Sequence, residues 1–154
     1  MRRVTLLCVG RLSSPWIADG CRQYVERLKP LISLDVHELD ASREKDAARQ
    51  SKEESLHLLS AMAKHKGDTI LFDELGTSMT SQEFAKFLEQ LFDRGETAEF
   101  VIGGAYGVDD TVKKAAKKTI RLSDMTFPHE LCRVVFFEQL YRALQIMKGS
   151  GYHH

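Results

Sequence analysis

Apolar positions along the chain follow two rhythms that alternate five times. The run "VTLLCVG", ending at Gly10, is short and unbroken and predicts a buried strand. From Pro15, "PWIADGCRQYVERLKPL" spaces its apolar residues as a helix does, with proline near the first turn. "ISLDVHEL" alternates apolar and polar at period two and predicts a second strand. Residues 41–66 are charged and rich in alanine, with Leu56, Leu59 and Met62 on one stripe, which predicts a helix with a frayed start. "DTILFDELG" predicts a third strand, and "TSQEFAKFLEQLF" a helix with a Ser/Thr cap and Phe84, Phe87, Leu88 and Leu91 on one face. "EFVIGG", "VDDTVKKAAKK", "TIRLS" and "PHELCRVVFFEQLYRALQIM" predict strand, basic helix, strand and final helix, before a glycine-rich tail "KGSGYHH".

Strands separated by helices in this way predict an α/β fold, a mainly parallel five-stranded sheet with helices on both faces. At 154 residues without linker or repeat, the chain reads as one domain, 1–154. In such sheets ligands collect beyond the carboxyl ends of the strands. Those ends hold Phe72 to Glu74, "GGAYG" from Gly103 to Gly107, and "LSDMTF" from Leu122 to Phe127. Gly103, Gly104 and Gly107 would let backbone approach a ligand closely and offer N–H groups. Glycines that only make turns explain the same spacing.

Composition removes several functional classes. No stretch approaches the roughly 18 apolar residues of a membrane span, which predicts a soluble protein. "MRRVTLLCVGRL" imitates a signal peptide, but its apolar run stops at Arg11 and it reads as the first strand. Cys8, Cys21 and Cys132 form no C-x-x-C pair and suit a reducing cytoplasm. His57 and His65 share a helical segment without ligand spacing, so no metal is expected. Formal net charge is zero, which excludes a broad electrostatic grip on nucleic acid. The distribution is uneven: Asp68 to Asp110 carries ten acidic and two basic residues, Lys113 to His154 eight basic and three acidic. A basic C-terminal third could face a polyanion, and solvated helix faces of both signs explain it equally well.

The final helix is apolar around most of its circumference, through Leu131, Val134, Val135, Phe136, Phe137, Leu140, Tyr141 and Leu144. One sheet face cannot cover such a helix; either it is central within the chain or its second face meets another copy, and the second reading is preferred here. Near its start His129 and Arg133 share one side. On patterning alone, Arg133 pairs with Glu130 and His129 is an ordinary first-turn residue.

"FVIGGAYG", "LSDMTFPHELCRVVFFEQLYRALQIMKG" and the terminal "YHH", supported by "VTLLCVGRL" and "LGTSMTSQEFA", resemble the RlmH (YbeA-like) family of ribosomal RNA large-subunit methyltransferases, of the SPOUT class. The resemblance is dense from Phe100 to His153 and loose between Asp40 and Lys66. It implies a C-terminal trefoil knot, an exception to unknotted topology. It also implies a homodimer built on the last helix, and transfer of a methyl group from S-adenosylmethionine to N3 of a pseudouridine in 23S rRNA of the assembled ribosome. Mapped by resemblance, the cofactor lies against Phe72, Gly103, Gly104, Gly107, Leu122, Ser123, Asp124, Met125, Thr126 and Phe127. Arg133 would then meet phosphate or a uracil oxygen, His129 would orient the base, and Tyr152 and His153 would close over the target, in their own or the partner's site, with His129 or His153 as the general base. The chain departs from the family where Asp73, Glu74, Leu75, Gly76 and Thr77 replace an acidic-Arg-Gly-Lys segment, and where Lys52, Glu53 and Glu54 replace Lys-Glu-Gly. A non-catalytic nucleotide-binding or ribosome-binding dimer is the rival reading, separated by whether the donor binds and reacts.

Overall fold

The computed structural model describes residues 1–95 and 97–154. Five strands, β1 (Arg3–Val9), β2 (Ser33–Leu39), β3 (Thr69–Ser78), β4 (Ala98–Ile102) and β5 (Lys118–Arg121), alternate with α1 (Pro15–Leu28), α2 (Ala47–Met62), α3 (Ser81–Asp93), α4 (Asp110–Ala115) and α5 (His129–Lys148). The strands form one sheet in the order β2-β1-β4-β3-β5, every pairing parallel. The expected α/β architecture is therefore the observed one.

Alternation along each strand divides the core in two. Leu6, Cys8, Ile70, Phe72, Phe100 and Ile102 face a layer made of α1, α3 and α5, whereas Leu7, Val9, Leu71 and Val101 face Leu58 and Met62 of α2 and Val112 of α4. On the larger side Phe136 of α5 sits 5.4 Å from Phe72 and 5.1 Å from Phe100, ring centre to ring centre, distances at which tilted aromatic pairs attract. Because α5 packs between α1 and α3, much of its apolar circumference is covered within one chain. Phe136, Phe137, Leu140, Ala143 and Leu144 are buried; Leu131, Val134 and Val135 are only partly so.

Local chemistry sets the boundaries. Asp46 caps α2 by accepting the Arg49 N–H, so residues 41–46 stay outside the helix, in line with a frayed start. The basic helix is shorter than its lysine run suggests: Lys117 N–H donates to Thr69 O, and the chain enters β5 at Lys118. Lysines favour helix without marking its end. β2 is an edge strand whose Val36 is exposed, so its alternation does not give a fully covered face.

The third strand carries the feature that matters most for function. Phe72 and Thr77 both pair with Ile120, so residues 73–76 bow out of the sheet. Gly76 anchors that bow, since a Cβ there would stand 2.6 Å from the Ile120 carbonyl carbon. The excursion delivers Asp73, Glu74 and Leu75 to the carboxyl edge.

At the opposite edge, Glu99 is buried, accepts a hydrogen bond from Thr69 Oγ1 at 2.8 Å and lies 3.7 Å from His65 Nδ1. Burial raises its pKa above the ordinary value of 4.5, against the opposing pull of the Thr69 bond and the histidines. A raised carboxyl pKa stabilises the fold fully below the unfolded value and loses that contribution as pH rises through the folded one. Glu99→Gln should therefore melt above the parent at pH 7.5, with the difference closing as the pH approaches 4; thermal unfolding across that range measures it.

Candidate active site

Three loops at the carboxyl edge enclose a crevice of about 350 Å³, within the range of small-molecule sites. The bow of β3 contributes Phe72, Asp73, Glu74 and Leu75. The turn after β4 contributes Gly103 to Val108, and the segment after β5 contributes Leu122, Ser123, Met125, Thr126 and Phe127, joined by Lys113, His129 and Cys132.

The glycine turn has no room for side chains on its inner wall. A Cβ on Gly103 would lie 2.9 Å from Val108 Cγ1 and 3.1 Å from the Gly107 carbonyl carbon. Gly107 takes φ +72°, the left-handed region, and its N–H donates to Gly104 O at 3.0 Å. Across the mouth, Thr126 Oγ1 donates to Glu74 Oε2 at 3.0 Å, tying the β3 bow to the segment after β5. Ser123 Oγ accepts the Met125 N–H and shapes that segment from within.

His129 opens α5 and lines the crevice, with Cys132 one turn on beside it. Burial, reinforced by Arg133 and opposed by Glu130, lowers the His129 pKa below 6.5, so its imidazole is neutral at neutral pH. Burial likewise raises the Cys132 thiol and keeps it protonated.

Arg133 does not face the crevice. It is 2% exposed; Nη1 donates to Glu38 Oε2 at 2.8 Å, and Nη2 to Val9 O and Gly10 O, both at 2.6 Å. A buried guanidinium without partners would be far too costly, and the ends of β1 and β2 supply the acceptors. The expected contact with phosphate or a uracil oxygen is thus replaced by an internal one. Nor does Arg133 pair with Glu130, whose carboxylate accepts the Ser13 N–H and Oγ–H at the entry to α1.

Nine of the ten positions mapped to the cofactor line the crevice; Asp124 instead pairs with Arg121 at 2.8 Å and is well exposed. Tyr152 and His153 lie elsewhere. Tyr152 stacks edge-on against Tyr141 at 5.0 Å and sits beneath the Arg142 guanidinium, while His153 Nδ1 is 3.2 Å from Arg142 Nη1. Arg142 lies thirteen helical steps beyond His129, about 20 Å away. Sequence reasoning passed over Lys113 and Cys132; Cys132 follows His129 at helical spacing, whereas nothing in the run of lysines distinguishes Lys113.

The lining suits a cationic ligand, with Asp73 and Glu74 against one lysine and an uncharged imidazole. Among the described residues no group of His, Cys, Asp and Glu could hold a metal ion, and no helix is long and apolar enough to cross a membrane.

A crevice of three strand-end loops over an all-parallel sheet is where α/β proteins take small ligands, and comparison supplies the class. The family model described as "Predicted SPOUT methyltransferase" matches residues 2–153, and the chain belongs to that family. It is a methyltransferase and requires a methyl donor. Ribosomal RNA large subunit methyltransferase H of Geobacter sp. (strain M21) is 38% identical, covering 99% of each chain. The protein of the same name from Nitratidesulfovibrio vulgaris (strain DSM 19637 / Miyazaki F) is 40% identical over the full length of both. Among solved structures, a methylase family protein from Neisseria gonorrhoeae shares the fold, with a TM-score of 0.53 and 12% identity over 91% of this chain and 82% of its own.

Because Arg133 serves the fold, Arg133→Met should cost about 3 kcal/mol by stranding the buried Val9 carbonyl and the half-buried Gly10 carbonyl, lowering Tm by roughly 6–12 °C. A surface contact residue would change stability by no more than about 0.5 kcal/mol. Scanning calorimetry separates the two outcomes.

Proposed function

We propose that the chain is an S-adenosylmethionine-dependent methyltransferase of large-subunit ribosomal RNA, methylating N3 of a pseudouridine in the intersubunit hairpin of the assembled ribosome as a cytoplasmic homodimer. The observation that carries this reading is the crevice: glycine backbone on one wall, carboxylates on another and an uncharged imidazole at its mouth, in a chain with full-length relatives named for that RNA. The trefoil knot implied by resemblance belongs to the same reading.

The donor would bring a sulfonium methyl group to the crevice for in-line displacement. The protein must then align the acceptor nitrogen and remove its proton. The glycine turn is fitted to take flat or extended groups close to backbone, and Asp73 and Glu74 favour positive charge beside it. His129, with its lowered pKa, is able to accept the N3 proton or a hydrogen bond from the ring at neutral pH. Tyr152 and His153, docked about 20 Å along the helix, are too far to serve the crevice of their own chain in this arrangement. In the proposed dimer they act on the partner's site, holding the target base. The partly covered Leu131, Val134 and Val135 of α5 give the second copy an apolar surface. Zero net charge accords with recognition of an assembled ribosomal surface, so naked rRNA fragments should be poor substrates beside whole ribosomes.

Mass mapping of 23S rRNA from cells with and without the gene tests the reading; loss of one methylated pseudouridine supports it, and retention of every mark refutes it. The role of His129 is tested by the pH dependence of kcat/KM. Protonation of the imidazole should cut activity on a limb below pH 6.5, and His129→Gln should lower the rate by roughly 10²-fold or more and remove that limb.

A further inference from the structure

A carboxylate stands directly behind the glycine turn. Glu54 of α2 is 5% exposed, and its Oε2 accepts the Ser42 N–H at 2.8 Å. Its Oε1 occupies the space that a side chain on Gly104 would need: a Cβ there would collide with Oε1 and lie 3.2 Å from Cδ. The carboxylate therefore abuts Gly104, whose backbone lines the crevice. The neighbouring turns of α2 fix the same loop, Ser51 Oγ donating to Gly107 O at 3.4 Å and Ser55 Oγ accepting the Asp109 N–H at 3.0 Å. The bond to Ser42 engages Oε2, and Oε1 is the atom that lies against the turn.

Charges around it point the same way. Asp73 and Glu74 line the opposite bank, Lys113 is the one lysine or arginine among the lining residues, and Arg133 is committed to Glu38 and to backbone. In methyl transfer the carbon–sulfur bonding pair stays on sulfur, the sulfonium becomes a neutral thioether, and the acceptor nitrogen gives up its proton. One positive charge vanishes from the donor's position.

We infer that Glu54, from behind Gly104, is a specificity-determining residue that makes the crevice prefer the sulfonium donor to the spent thioether, so that the reaction itself loosens the hold on its by-product. This rests on the reading that the crevice takes S-adenosylmethionine. Glu54 touches neither donor nor acceptor; it acts by its field through the loop it supports, in a partly water-excluded site where such fields are strong.

Calorimetric titration of the full chain with S-adenosylmethionine and with S-adenosylhomocysteine tests it. The parent should bind the sulfonium roughly fivefold more tightly or better, an order set by partly screened charge attraction. Glu54→Gln, which keeps the shape, should abolish most of that preference by weakening the sulfonium alone, and Glu54→Asp should retain part of it. Equal weakening of both ligands, or an unchanged ratio, overturns the inference and leaves the function standing. A parent that binds both equally overturns it without recourse to any variant, which covers a Glu54→Gln chain that fails to fold. A parent that binds neither defeats the reading of the crevice as well.

Discussion

A single buried cation decides which way the last helix faces. The Arg133 guanidinium reaches from the second turn of α5 to Glu38 and to the carbonyls of Val9 and Gly10, joining the helix to the carboxyl ends of β1 and β2. Glu38 is partly exposed, so the ion pair is screened; the backbone acceptors carry most of the constraint, above all the buried Val9 carbonyl, because leaving it unpaired would cost more than the bond itself contributes. With that end fixed and Phe136 locked among Phe72 and Phe100 one turn later, His129 has only one place to go, the mouth of the crevice.

The same commitment shapes the electrostatics of the site. An arginine inside the crevice would oppose a sulfonium directly; with Arg133 held on the ends of β1 and β2, the charged side chains that line the crevice are Asp73, Glu74 and Lys113. Burial lowers the pKa of His129, and the neighbouring guanidinium adds to that by disfavouring a second positive charge. The anchor of the helix and the imidazole proposed to act on the acceptor thus share one helical turn.

Much of this arrangement was legible in the sequence. Buried parallel strands are short apolar runs, and amphipathic helices announce themselves by spacing, so all ten elements were found in order. The glycines at 103, 104 and 107 and the segment 122–127 were placed at one sheet edge because strand direction alone puts them there. What escaped depended on partners distant in the chain. Arg133 meets acceptors more than 120 residues earlier, which no local pattern reveals, and Asp124 turns to Arg121 instead of inward. The bow in β3 depends on how closely Gly76 passes Ile120, a matter of three dimensions that a strand-like run conceals. The rest positions of Tyr152 and His153, against Tyr141 and Arg142, likewise leave no mark in the glycine-rich tail.

The central claim is that the three strand-end loops, held in place by the α5 anchor, form the donor's binding surface. Amide hydrogen exchange with and without S-adenosylmethionine examines it directly. Slowed exchange concentrated in 72–76, 103–108 and 122–129 is the predicted result. Unchanged exchange in those loops at a donor concentration that saturates the protein, or protection located elsewhere in the chain, would contradict it.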